Sequence, residues 1–170
     1  MRILMMLTAG VEDHPNRPLG LVLAVEPYYL LHDAGVEVAV VSDLGGDPPF
    51  RDARKRSARA IAVLKRFQND RRTRDVISDT LKFVQIYPED FDGGICLGAL
   101  EEQTASDDKA AALNLVTALL TAGKPVAIVP SDLLLAPQGP LDGLLIIGDH
   151  ARSPPLAAKA LLAALDPGAS

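Results

Sequence analysis

The sequence predicts an α/β fold in one domain, with a mainly parallel sheet covered by helices on both faces. Short apolar runs alternate along the chain with segments whose apolar residues recur at helical spacing. The 170 residues, 1–170, fit a single domain, and no repeat or linker divides them. Hydrophobic residues make up 48% but aromatic residues only 4%, so aliphatic side chains must form the core.

The first half predicts a strand, a helix and a second strand. Residues 2–7 form an apolar run typical of a central parallel strand, and the ThrAlaGly that follows it is where function is expected. Residues 19–34 have helical spacing, with Pro27 expected to kink or divide the helix and Gly35 to end it. Residues 36–41 are apolar and rich in valine, and the turn-rich SDLGGDPP follows them.

Two helices are predicted next, the first of them inside the basic segment of residues 51–74. The first rests on four apolar residues at i, i+3, i+4 and i+7: Ala60, Val63, Leu64 and Phe67. The second, near residues 72–83, has a weaker pattern.

The second half continues the alternation. Strands are predicted at residues 93–97, 125–129 and 144–147. Ser106 is expected to cap a helix ending at Gly123, and Ser153 followed by Pro154 to open the last helix. Ligands of such a sheet are expected at the carboxyl ends of the strands.

Charge is unevenly distributed. The net charge of −5 argues against nucleic acid as the main partner, yet residues 51–74 hold ten of the 17 basic residues. This segment is either a solvated helical face or a patch for an anion or a partner. The candidate patch residues are Arg54, Lys55, Arg56 and Arg59.

Cysteine content and motifs narrow the chemistry. Cys96 is the only cysteine, which excludes an intramolecular disulfide and suits a cytoplasmic protein. The apolar start is too short for a signal sequence or a membrane span. Nucleotide-binding glycine motifs and the GxSxG motif are missing, and Asp149 with His150 lack further ligands for a metal, so neither a cofactor nor a metal is expected.

Several stretches in order resemble the ThiJ/PfpI family of the class I glutamine-amidotransferase-like superfamily, especially its chaperone-like and glyoxalase-like branch. They are RILMMLTAG, PYYLLHDAGVEVAVVSDLGGDPP, KRFQND with SDT, EDFDG, AGKPVAIV and GDHARSPPLAAKALLAAL. The resemblance implies a flavodoxin-like three-layer sandwich, a homodimer, and an active cysteine followed by histidine on a sharp turn after PVAIV.

The chain departs from that pattern at each catalytic position. Pro130 and Ser131 stand where the family has cysteine and histidine, and proline cannot adopt a positive φ at such a turn. Leu23 stands at the family's acidic position on the first long helix. Gly98 is the one glycine left of a ProGlyGlyHisGly-like turn, and the segment after Ser131 is shorter than in relatives.

Three residues remain as candidates for relocated chemistry, each with a structural alternative. Cys96 is either a relocated nucleophile or a small buried strand residue. Ser131 is either a nucleophile or a turn serine, and Glu26 either a functional acid or a helix-end residue. A ligand crevice is expected around Gly10, Gly98, Pro130 and Ser131.

The leading hypothesis is therefore a non-catalytic homologue with a binding or regulatory role. The alternative is a cysteine- or serine-dependent glyoxalase, deglycase, amidase or protease-like enzyme with a relocated nucleophile. A third hypothesis gives the basic segment an anion-binding or nucleic-acid-binding role, which salt should weaken steeply.

Overall fold

The computed structural model describes residues 1–8, 19–51, 57–98, 107–129, 143–148 and 153–166. Its strands are β1 (Arg2–Leu7), β2 (Leu19–Gly20), β3 (Glu37–Ser42), β4 (Phe50–Arg51), β5 (Leu81–Lys82), β6 (Gly93–Leu97), β7 (Val126–Val129) and β8 (Leu145–Ile147). Its helices are α1 (Leu21–Asp33), α2 (Ala58–Asn69), α3 (Arg71–Ser78), α4 (Asp107–Thr121) and α5 (Pro154–Leu165). Short 3₁₀ turns lie at Phe83–Gln85 and Pro88–Asp90.

Six strands form one parallel sheet in the order β5-β3-β1-β6-β7-β8. The central strand β1 aligns Ile3 with Val38 of β3 and with Gly93 of β6. The strands β2 and β4 pair in parallel as a separate two-stranded ribbon. The predicted α/β fold with a parallel central sheet is therefore confirmed.

Two hydrophobic cores lie on opposite faces of this sheet. Ile3 and Met5 of β1 belong to the core under α1 and α5, whereas Leu4 and Met6 belong to the core under α4. This alternation is the two-residue period of a strand, and it explains why β1 is apolar at successive positions. The described helices cover both faces, which gives three layers.

The end of α1 follows the sequence prediction. The N–H of Gly35 donates to the carbonyl of His32 at 3.0 Å, and the N–H of Val36 to that of Leu31 at 3.1 Å. This pair of bonds is a Schellman motif, and it requires the left-handed φ of +79° that Gly35 adopts. The predicted stops at Gly35 and Gly123 are both observed, and Pro154 opens α5 after Ser153 as expected.

The predicted helix over residues 72–83 is wrong in its second half. Helix α3 ends at Ser78, and the edge strand β5 follows. The reason is Thr80, whose backbone exchanges hydrogen bonds of 2.9 and 2.8 Å with Gly46 and so turns the chain into the sheet. Phe83 then lies buried in the core on the α4 face, which a continued helix would not reach.

Smaller differences concern α1 and strand boundaries. Pro27 is buried inside α1 and does not divide it, and the helix starts at Leu21 because Leu19–Gly20 pairs with Phe50–Arg51. Strand β3 begins and ends one residue later than predicted. Helix α2 is confirmed, with Ser57 as its N-cap, whereas the predicted cap Ser106 lies outside the described residues.

Candidate functional site

The sheet topology fixes where its crevice lies. The chain crosses from β1 to β3 through α1 on one face, and from β6 to β7 through α4 on the other face. The connections therefore diverge between β1 and β6, and parallel sheets bind ligands at the carboxyl ends of strands beside such a divergence. Thr8 and Gly98 follow these two strands directly.

Gly98 is tightly built into this edge. Its N–H donates to the carbonyl of Val129 at 2.9 Å, and the N–H of Thr8 donates to the carbonyl of Leu97 at 2.9 Å. Gly98 has a φ of +112°, and a Cβ placed on it would lie 2.3 Å from the carbonyl oxygen of Thr8. The glycine predicted to belong to a crevice is therefore required by the close approach of two backbones.

Cys96 is a buried strand residue. Its side chain is 0% exposed in the core between the sheet and α4. Burial raises the pKa of its thiol to about 12, and the negative charge of Asp43 also raises it, against a hydrogen bond with Thr8 that lowers it. Cys96 is thus a small buried strand residue, which is one of the two environments that the sequence predicts for it.

Glu26 faces α2 and forms an ion pair with Nε of Arg59. Its side chain is only 14% exposed, so the arginine supplies the countercharge that a largely buried carboxylate needs. Seven residues further along both helices, Asp33 and Arg66 form a second pair. Two residues with separate predicted roles, Glu26 and Arg59, are therefore partners at a helix interface.

The second pair shows how part of the basic segment is used. Arg66 donates from both terminal nitrogens to Asp33 at 2.6 Å, and its guanidinium carbon lies 3.7 Å from the ring centre of Tyr29. This bidentate bond holds the pKa of Asp33 below its ordinary value. The equal spacing of the two pairs indicates that α1 and α2 run in the same direction with their turns in register.

The structure also contains a cavity of about 180 Å³ beside the ends of β1 and β3. Leu7 and Thr8 close one side, and the loop from Asp43 to Phe50 forms the other. The sequence predicts only turn residues in this SDLGGDPP loop. The density of glycine and proline after a strand was the available signal, since a rigid loop at that edge is a common ligand wall.

Several predicted residues cannot be placed. Gly10, Pro130 and Ser131 lie outside the described residues, as do Arg54, Lys55 and Arg56. Leu23, at the family's acidic position, packs half-buried against the core under α1. Within the described ranges, no three histidine, cysteine or acidic side chains are grouped to hold a metal ion, and no helix is long and apolar enough to cross a membrane.

Comparison by sequence finds no match to a family model and none to a curated protein. Comparison of structures does find similar proteins. Rapid Encystment Protein 24 KDa of Francisella tularensis shares 15% identity at a TM-score of 0.50 over 75% of this chain. Glyoxalase III of Candida albicans shares 17% identity at a TM-score of 0.52 over 76% of this chain. The chain spans 58% and 56% of the length of these two proteins, respectively.

A further solved structure, of a protein named only by a code, covers 97% of both chains at a TM-score of 0.63 and 15% identity. Identities at this level demonstrate a shared fold and nothing finer. The strand order, with its divergence between β1 and β6, agrees with that fold. The chain is therefore an α/β protein with a flavodoxin-like fold.

Proposed function

We propose that this chain is a non-catalytic homologue of the ThiJ/PfpI proteins that acts by binding rather than by thiol chemistry. The observation that carries the proposal is the state of its only cysteine. Pro130 occupies the position expected of the nucleophile, and Cys96, the one remaining thiol, is fully buried with a pKa raised to about 12.

The raised pKa has a direct chemical consequence. Only the thiolate attacks a carbonyl or an amide, and a thiol with a pKa near 12 is ionised in about one molecule in 100,000 at pH 7. Burial adds a steric barrier, since a substrate cannot reach a side chain with no exposed surface. Reactive cysteines lie instead in exposed, electropositive places that lower the pKa.

The environment of Glu26 supports the same proposal. The family's acid contacts the active cysteine, but Leu23 stands at that position and packs half-buried against the core. Glu26, one turn later, is paired with Arg59 toward α2. Its carboxylate is therefore engaged at the interface with α2, on the face of the sheet opposite the core that holds Cys96.

The structural similarity to glyoxalase III agrees with the sequence resemblance to the ThiJ/PfpI family. It makes the conversion of a small carbonyl compound the reaction to test. A homodimer belongs to the proposal because the resemblance in the sequence implies one. A cytoplasmic location and independence from cofactors belong to it on the strength of the single cysteine and the missing nucleotide-binding motifs. Ser131 as a relocated nucleophile is the enzyme alternative that the same test addresses.

The test is the consumption of methylglyoxal without glutathione by the purified protein. Cys96→Ser and Ser131→Ala variants run beside it, with an intact member of the family as the positive control. The proposal predicts that the wild type and both variants match the uncatalysed rate. Turnover that is lost in either variant would identify a relocated nucleophile and refute the proposal.

A further inference from the structure

The cavity beside β1 and β3 is separate from the position where the family's nucleophile would stand. Pro130 follows β7, which lies two strands from β1 in the sheet. Neighbouring strands are about 4.8 Å apart, so the ends of β1 and β7 are separated by roughly 10 Å. The cavity lies on the other side of β1, between the end of that strand and the loop after β3. It is therefore a second place at the carboxyl edge of the sheet where a ligand can bind.

The loop wall of this cavity is held by a closed set of hydrogen bonds. Oγ1 of Thr80 donates to the carbonyl of Gly46 at 2.8 Å, so Oγ of Ser42 must donate to Thr80, at 2.7 Å. Ser42 then accepts from the N–H of Gly45 at 3.1 Å. Both hydroxyls belong to residues that are 4% exposed. These bonds anchor the loop to β3 and β5, so the cavity is formed before any ligand arrives.

The two hydroxyls of the lining are already used as donors inside the protein. The single hydrogen of the Ser42 hydroxyl goes to Thr80, and Oγ1 of Thr8 donates to the carbonyl of Leu97 at 3.3 Å. Thr8 is also buried, at 2% exposed. The lining residues that the structure describes include no other side-chain donor. A ligand that needs hydrogen bonds from side chains to a carbonyl or an anionic group therefore finds none here.

The two carboxylates of the lining do not require a ligand of opposite charge. Asp43 already interacts within the protein, and Asp47 is exposed, so water hydrates its charge. An ion pair with an exposed carboxylate contributes little to binding. Both charges still repel an anion. The lining therefore disfavours negative ligands without selecting positive ones.

The remaining lining is largely apolar. Leu7 and Leu19 are each 4% exposed, and Phe50 is partly buried. Leu44 is 70% exposed and adds a large apolar side chain on the side of the cavity that meets solvent. A ligand with an apolar body would displace water from the walls and cover part of Leu44, and removing apolar surface from water favours binding.

The volume limits the size of that ligand. A protein cavity of about 150 Å³ accommodates benzene, so 180 Å³ suits a body of one small ring or a short branched chain. We infer that this cavity is a binding site for small uncharged molecules with an apolar body of about benzene size. The inference deepens the proposed function, on which it rests for the view that this chain acts by binding.

The probes are three ligands that share one ring and differ in charge: toluene, benzylammonium and benzoate. Each is titrated into the ¹⁵N-labelled full chain, followed by amide chemical shifts. So few atoms limit the affinity of toluene to a Kd on the order of 1 mM. Benzylammonium is expected to bind about tenfold more weakly, because partial loss of its hydration outweighs an exposed ion pair. Benzoate should bind more weakly still, and the toluene shifts should centre on residues 42–50.

Two matched variants each replace one exposed leucine. Leu44→Ser removes apolar surface of the cavity, and Leu156→Ser removes it from α5, outside the cavity; Leu156 is 65% exposed, so both variants should fold. Only Leu44→Ser should weaken toluene binding, by about fivefold, the effect of about 40 Å² of apolar contact. An equal loss in both variants or no loss in Leu44→Ser would overturn the inference.

The titrations of the wild type test the inference without any variant. Absence of toluene binding, equal binding of either ion, or shifts centred elsewhere would overturn it. Methylglyoxal turnover would refute the proposed function while leaving a positive toluene titration intact. Failure of toluene to bind, without turnover, would remove this site and leave the proposed function standing.

Discussion

Substitution of Gly98 by alanine tests the geometry of the carboxyl edge. Gly98 has a φ of +112°, a backbone conformation that residues with a side chain rarely adopt. An added Cβ would meet the carbonyl oxygen of Thr8 at 2.3 Å, well inside van der Waals contact. The obstacle is backbone that is fixed by its own bond to Leu97, so it cannot rotate away as a side chain could.

The magnitude has two parts. Holding a residue other than glycine at this φ costs about 1–3 kcal/mol. Moving the backbone of Thr8 to relieve the clash costs about 1–3 kcal/mol more, as overpacking does in a core. The variant Gly98→Ala should therefore lose about 2–6 kcal/mol of its free energy of unfolding, a large part of the 5–15 kcal/mol typical of a domain.

Urea unfolding followed by circular dichroism measures this loss. Gly35→Ala is the control, because Gly35 also has a positive φ, +79°, but nothing lies within 4 Å of its added Cβ. It should lose only about 1–2 kcal/mol. If the two variants lose the same free energy, the close approach of Thr8 to Gly98 is not present and the reasoning fails.

Three further predictions concern the ion pair, the thiol and the loop. A double-mutant cycle on Asp33 and Arg66 should give a coupling energy of about 0.5–1 kcal/mol, and salt should reduce it because both side chains are half-exposed. The pKa of Asp33 is lowered in the folded state, so the coupling energy should disappear as the pH falls below 3.8, the ordinary pKa of this carboxyl. The pKa of Cys96 is raised from 9.0 to about 12, so the free energy of unfolding of the wild type should fall by up to about 1.4 kcal/mol per pH unit between pH 9 and 12 relative to Cys96→Ala. Parallel curves of stability against pH for the two proteins would contradict this. Thr80→Val should lower the free energy of unfolding in urea by about 1–3 kcal/mol, because the buried hydroxyl of Ser42 loses the hydroxyl of Thr80, 2.7 Å away. An unchanged urea midpoint would contradict this hydrogen bond.

The fold could be predicted from sequence because its signals are local. Strand β1 is a continuous apolar run, and Gly35 ends α1 by a conformation that few other residues accept. The strand β5 could not be predicted in the same way. Its two residues owe their place to hydrogen bonds between Thr80 and Gly46, which are 34 residues apart, and no local pattern encodes such a contact.

The candidate site was less accessible to sequence reasoning. Burial of Cys96 was foreseen as one alternative, but the size of its pKa shift depends on packing against α4. The pairing of Glu26 with Arg59 depends on how α1 and α2 align, and the sequence leaves that open. The cavity needs a loop, two strand ends and β2 together, so its parts are recognisable only in three dimensions.

The most direct test of the central claim is the reactivity of Cys96 toward iodoacetamide at pH 7.4, measured by intact mass. The native protein is compared with the same protein in urea, where the thiol is exposed and has its ordinary pKa. We expect full labelling in urea and almost none in the native state over the same time. Rapid, stoichiometric labelling of the native protein would mean that Cys96 is an accessible thiolate, and it would contradict the non-catalytic account.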